Sequence, residues 1–240
     1  MFGDLKNQQG ETIDYAYTPG ADGDDRIVVL GHGVTGNKDR PVVVETARAL
    51  NAAGIATLCM SFAGNGNSGG RFEDCTISKE VDDLGSVLDA LGDRTIAYAG
   101  HSMGGAVGVL RANRDPRIKV LISIAGMVHT EAFADREFGE ETPGSGCMWE
   151  EESCPLSTVY VEDMASIHSV LEKGGGVKVP WLLIHGTEDD VVPIQDSLEI
   201  SARANEPFRM VQVEGADHSF NEHHQPLGDA VVSWVQEHLR

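Results

Sequence analysis

Gly100-His101-Ser102-Met103-Gly104 places one hydroxyl between two glycines, at the junction of an apolar run, Thr95–Ala99, and a small-residue run, Gly105–Arg111. A strand, a sharp turn and a helix in that order hold a serine on a strained backbone with its hydroxyl raised above a sheet. The flanking glycines remove side chains that would clash at such a turn. A serine hydroxyl is a weak nucleophile at neutral pH, so this chemistry needs a base and an acid that orients the base.

In open α/β sheets, reacting groups gather at the carboxyl ends of the strands. Two loops meet that condition. His185-Gly186-Thr187-Glu188-Asp189-Asp190 follows the apolar run Trp181–Ile184, and Gly215-Ala216-Asp217-His218-Ser219-Phe220 follows Phe208–Val213. Asp189 is the expected acid, with Glu188 and Asp190 as rivals. His218 is the expected base, with His223 and His224 as rivals that read better as surface or capping residues. In this reading Ser102 attacks an acyl carbonyl, His218 takes its proton and returns it to the leaving group, and Asp189 fixes the imidazole. Two backbone N–H groups must hold the oxyanion: that of Met103, after the nucleophile, and that of Val34, in His32-Gly33-Val34. His32, His101 and His185 read as packing or hydrogen-bonding groups around the site.

The elements that position these residues alternate. A short N-terminal hairpin is expected around Glu11–Tyr17, then a strand at Arg26–Leu30 ended by Gly31-His32-Gly33. Pro41 opens a helix to Leu50. Ile55–Met60 is the next strand, followed by the glycine-rich stretch Ala63–Gly70. Ser78 is expected to cap a helix with Val81, Leu84, Leu88 and Leu91 at helical spacing. Strands at Thr95–Ala99, Val120–Ile124, Trp181–Ile184 and Phe208–Val213 follow, with helices from Pro193 to about Ala204 and from about Pro226 onward. Short continuous apolar strands alternating with helices predict a mostly parallel sheet with helices on both faces.

One segment departs from this alternation. From Met127 to Gly176 there is no clean strand, and so long a connection inside a compact domain is usually functional. It reads as a small cap insertion, 127–176, over a core of 1–126 and 177–240. Met127, Val128, Met148, Trp149 and Met164 either line an apolar substrate pocket or form the cap's own core; Met127 and Trp149 are the candidate substrate-binding residues.

Composition sets limits on partners. The 240 residues hold 38 Asp and Glu against 18 Lys and Arg, a formal charge of −20. That charge argues against nucleic acid and anionic membrane as partners, and against strongly anionic substrates unless a local basic pocket offsets it. No apolar run approaches the roughly 20 residues that span a bilayer, and the N-terminal residues lack the apolar core of a secretory signal, so a cytoplasmic location is expected. None of Cys59, Cys75, Cys147 and Cys154 forms a Cys-x-x-Cys pair. Cys59 reads as core. Cys147 and Cys154 flank an acidic loop and could pair in an oxidising compartment; reduced thiols are the expected state.

The chain resembles the α/β-hydrolase superfamily over essentially its whole length. Phe62-Ala63-Gly64-Asn65-Gly66-Asn67-Ser68-Gly69-Gly70-Arg71-Phe72-Glu73-Asp74 is similar to the Gly-His-Gly-x-Ser-x-Gly-x-Phe-Glu pattern of cinnamoyl and feruloyl esterases and their monoacylglycerol-lipase-like relatives. The loop His32–Lys38 is similar as well. Asn65 stands next to the glycine where those relatives usually carry His, and Met103 stands where cinnamoyl esterases often have Gln; both depart from phenolic-acid specificity. The resemblance implies the α/β-hydrolase fold and a serine carboxylic ester hydrolase working through an acyl-enzyme on short-chain or small aromatic esters. It implies no cofactor and no metal. A small-molecule ester would be its partner, and a homodimer is left open. The serine speaks against dehalogenase and epoxide hydrolase chemistry, which uses an aspartate at that place. A peptidase, thioesterase or acyltransferase on the same triad remains an alternative, as does a small-molecule receptor that keeps a triad.

Overall fold

The computed structural model describes residues 2–240. Among these, the elements run β1 (Tyr15–Thr18), β2 (Arg26–Gly31), α1 (Pro41–Ala52), β3 (Ala56–Met60), α2 (Ile77–Leu91), β4 (Thr95–His101), α3 (Met103–Ala112), β5 (Ile118–Ile124), α4 (Thr130–Phe138), α5 (Thr158–Ile167), β6 (Trp181–Gly186), α6 (Ile194–Ser201), β7 (Phe208–Val213) and α7 (His224–His238). The strands form one sheet in the order β1-β3-β2-β4-β5-β6-β7. All pairings are parallel except that of β1 with β3.

The inner strands β2, β3, β4 and β6 are almost wholly buried because both faces of the sheet are covered there, whereas the edge strands β1 and β7 keep exposed positions. Along β2, Val28 and Leu30 pack into the layer holding Val42, Leu50, Leu227, Val231 and Trp234 of α1 and α7. Ile27 and Val29 point the other way, into the layer of Leu84, Leu88, Val107 and Val109 from α2 and α3. The period-2 alternation of side chains thus feeds two cores from one strand. Val81, Leu84, Leu88 and Leu91 are all buried, as their helical spacing predicts.

Three local expectations are corrected. β1 does not close an N-terminal hairpin; it joins the sheet edge antiparallel to β3, and the chain before it makes only an isolated bridge, Lys6 to Thr12. The cap of α2 is Thr76, not Ser78: Thr76 has extended backbone and its hydroxyl accepts the Lys79 N–H at 3.1 Å, while Ser78 already lies inside the helix. The last helix begins at His224, two residues ahead of Pro226, because proline is tolerated in the first helical turn. The four cysteines are free thiols, and Cys59 is buried in β3.

The connection between β5 and β6 holds α4, α5 and two short 3₁₀ segments, Met148–Glu150 and Leu171–Gly176, with no strand among them. A single antiparallel bridge, Cys147 to Pro155, ties its middle together. Among the described residues no helix is long and apolar enough to cross a membrane.

Candidate active site

Ser102 sits between β4 and α3 at φ 55, ψ −120, a region that L-residues avoid. Local hydrogen bonds keep it there. The Ser102 N–H donates to Ile124 O (2.9 Å), and the Ser102 carbonyl accepts from Gly105 N–H (2.8 Å) and Met127 N–H (3.0 Å). The turn leaves no room for side chains nearby. A Cβ on Gly100 would collide with the backbone of Gly104, and one on Gly33 would lie 2.7 Å from Ser102 Cβ. Met103, as the first residue of α3, has no intrahelical acceptor for its N–H.

Asp189 lies in the loop after β6, with its side chain fully buried. Its Oδ1 accepts the N–H groups of Val191 (3.0 Å) and Val192 (2.9 Å). Its Oδ2 lies 2.8 Å from His218 Nδ1 and 3.1 Å from His185 Nε2. Burial alone would push this carboxyl up. The hydrogen bonds from His185, His218 and Val192 N–H outweigh burial and hold it well below the usual carboxylate range. An ionised carboxylate only accepts, so Nδ1 of His218 carries the proton and Nε2 is left with its lone pair. Ser102 and His218 line the same cavity, of about 530 Å³. No hydrogen bond closes between their side chains among the described residues, and such contacts are often loose before substrate enters.

Around this pair the other histidines are structural. His101 Nε2–H donates to the carbonyl of His218 at 2.9 Å, and the two rings lie 4.7 Å apart. Burial, with His218 close by, pushes His101 down to about 3, so it stays neutral. His32 accepts the Phe62 N–H on Nε2 (3.0 Å) and donates from Nδ1 to Gly33 O (2.8 Å). Burial pushes it down to about 4. This neutral ring ties the loop that carries Val34 to the start of the glycine-rich stretch. His185 accepts the Ser197 hydroxyl on Nδ1 (2.7 Å), and its Nε2–H is shared between Val192 O (2.9 Å) and Asp189. Sequence reading put His185 near the site without seeing that it shares the acid. The signal was its place four residues before Asp189, at the end of a buried strand.

The structure brings Ser102, His218, Val34 and Trp149 to one cavity, with Met103 beside Ser102 and Asp189 behind His218. It leaves Met127 out. The Met127 side chain is buried in the core under α3, and only its backbone reaches the site, through the bond to Ser102 O. Val128, Met148 and Met164 are likewise core residues of the insertion. Glu188, Asp190, His223 and His224 lie outside the cavity wall.

Relatives agree with this architecture. Palmitoyl-protein thioesterase ABHD10, mitochondrial, of Bos taurus is 27% identical over 212 residues, 81% of this chain and 67% of that protein. The chain spans about two thirds of the length of the curated relatives it matches. Est1E from Butyrivibrio proteoclasticus, solved with ferulic acid bound, superposes with a TM-score of 0.85 at 24% identity, covering 98% of each chain. Alpha/beta hydrolase domain-containing protein 10 from mouse superposes with a TM-score of 0.80 at 20% identity, again over 98% of each chain. At such identities the superpositions speak to the fold, and the fold is that of the α/β hydrolases. The prolyl oligopeptidase family matches residues 42–240, from α1 through the Ser102 turn, the Asp189 loop and the His218 loop to the last residue, and the chain belongs to that family.

Proposed function

We propose that the chain is a serine hydrolase that opens carboxylic esters through an acyl-enzyme. The observation that supports this best is the Asp189–His218 contact of 2.8 Å, with the His218 ring and the strained Ser102 on one cavity. Ser102 Oγ attacks the acyl carbon while its proton passes to His218 Nε2. The oxyanion forms against the N–H groups of Met103 and Val34. Collapse expels the alcohol, which takes the proton from His218, and a water molecule repeats the sequence on the acyl-enzyme. Losing one oxyanion donor typically costs about 3 to 4 kcal/mol of transition-state stabilisation. In this reading the insertion 127–176 is a cap, and Trp149 is the part of it that meets substrate. A cavity of about 530 Å³ suits short acyl chains or small aromatic acids.

The test is hydrolysis of p-nitrophenyl esters from acetate to decanoate, beside methyl ferulate, with Ser102→Ala as control. Turnover that vanishes in the control supports the mechanism, and the chain-length profile sizes the pocket. Absence of turnover above the control on every ester would overturn it. A second reading is favoured by the name of the ABHD10 relative: a thioester in place of the oxygen ester, cleaved by the same steps. Matched ester, thioester and anilide substrates separate the ester, thioester and peptide readings.

A further inference from the structure

The wall of the Ser102 cavity inverts the charge of the chain around it. The sequence carries 38 acidic residues against 18 Lys and Arg. Yet no aspartate or glutamate lines this cavity among the described residues, and Arg40 is its one Lys or Arg. Asp189 is sealed behind His218 and does not open onto it. Arg40 is also unspent. Its Nη2 donates to the Thr35 carbonyl at 3.0 Å, which holds the guanidinium on the rim, and it has no carboxylate partner among the described residues. Its neighbour Lys38 is the contrast, lying 2.9 Å from Asp39 and 3.5 Å from Asp14.

A second feature points the same way. Arg40 immediately precedes α1, whose first residues, Pro41 and Val42, share the cavity wall. That helix has no acidic residue in its first turn and no capping side chain. Its positive end therefore adds to the guanidinium with no anion of the protein to satisfy either. Arg40 is exposed on the rim, where its guanidinium offers paired N–H donors that match a carboxylate and the contact is open to screening by salt.

We propose that Arg40 is a specificity residue that binds a carboxylate on the non-reacting part of the substrate. The preferred substrates are then monoanionic esters: half-esters of short dicarboxylic acids, or esters of carboxylate-bearing alcohols. This rests on the ester-hydrolase reading. It also explains how a strongly acidic protein admits an anion, since repulsion at long range is offset at the site itself.

The test compares two matched pairs at low salt. On the acyl side the pair is mono-p-nitrophenyl glutarate and p-nitrophenyl butyrate. On the alcohol side it is O-butyryl glycolate and O-butyryl glycolamide. Each is read as the ratio of kcat/KM for the anionic over the neutral ester, which cancels any general effect on the Thr35 loop. We expect the ratio to exceed one in one arm, to fall by about tenfold in Arg40→Gln, and to be partly kept in Arg40→Lys. Added salt should lower it in the wild type. A ratio at or below one in both arms, or one unchanged in Arg40→Gln, overturns the proposal. Titration of Ser102→Ala with N-benzylglutaramic acid and neutral N-benzylbutyramide reads binding without turnover. Equal affinity for the two would sink the role of Arg40 even if no ester were hydrolysed, and the ester reading fails or stands separately on butyrate turnover.

Discussion

His185 Nε2 lies 3.1 Å from Asp189 Oδ2, the same oxygen that His218 Nδ1 contacts at 2.8 Å. Two imidazoles therefore stand on one carboxylate oxygen, one facing the cavity and the other sealed in the core. The sealed ring cannot reach substrate. Its part is to fix the rotamer of Asp189 and to keep the carboxylate ionised, and it is held in turn by Ser197 and Val192.

Replacing His185 separates donation from shape. His185→Phe strips Asp189 of one donor and leaves the Val192 carbonyl and the Ser197 hydroxyl without partners. Each buried orphan costs about 1 to 3 kcal/mol. We expect a loss of that order in urea unfolding, together with about a tenfold fall in kcat and little change in KM. His185→Gln can still present an N–H to Asp189 and should keep most of the activity. Equal kcat in the two variants would show that the His185–Asp189 contact has no bearing on turnover.

In the proposed mechanism Ser102 joins strain to chemistry at one position. Its φ of 55 with ψ of −120 is a glycine conformation, and such strain costs on the order of 1 to 3 kcal/mol. Glycine removes that penalty and gives part of the gain back as lost chain entropy. Ser102→Gly should therefore raise stability by about 1 kcal/mol, whereas Ser102→Ala keeps the strained backbone and should not. Both should lose ester turnover by at least about a thousandfold. Thermal unfolding of the two variants side by side decides the point; an Ala variant as stable as the Gly variant would mean that the turn is not strained.

Trp149 gives the cap reading a direct check. It stands at φ 51 between buried and open space: its ring packs edge-on to Phe138 at 5.0 Å, its Nε1–H donates to Glu137 at 3.0 Å, and 44% of it stays exposed. So exposed an aromatic adds little to stability but forms part of the cavity wall. Trp149→Ala should cost about 1 kcal/mol or less and should shift the acyl-length profile of ester hydrolysis, with KM for the bulkier esters rising several-fold. An unchanged profile would remove Trp149 from the pocket.

What the sequence disclosed, and what it hid, follows from how local each signal is. The loops that carry Ser102, Asp189 and His218 were legible because each follows a strand: β4 and β6 are buried and largely apolar, while β7 interrupts its apolar residues with the exposed Arg209 and Gln212, as an edge strand can. Thr76 and Ser78 offer the same hydroxyl two residues apart, and only the extended backbone at Thr76 selects the cap. β1 is too short to announce its partner; it pairs with β3 because an edge must find a ladder. Within the insertion, Met127 and Trp149 fall outside α4 and α5, so no helical or strand period orients their side chains. Met127 and Trp149 therefore looked alike in sequence, yet Met127 turns to the core and Trp149 to the cavity.

Glu80 provides the last prediction. It is fully buried on α2, and neither carboxyl oxygen has a partner among the described residues; nor does the hydroxyl of Tyr160. Both line a small chamber of about 10 Å³ that also touches Val34, Thr35 and Met103. Burial, reinforced by Asp83 and Asp163, pushes the Glu80 carboxyl well above its ordinary value. The folded chain therefore keeps the Glu80 proton at pH values where the unfolded chain, with its glutamate near about 4.3, has released it. Folding must take up a proton in that window, so this group's contribution is fully present below about pH 4.3 and is lost as pH rises toward the folded-state value. Glu80→Gln has the same shape and no proton to take up. Its stability relative to wild type should rise between about pH 5 and about pH 8, by about 1 kcal/mol or more. Urea unfolding of both proteins at the two pH values measures this directly, and a difference that stays flat would mean that Glu80 ionises in the folded chain as readily as in the unfolded one.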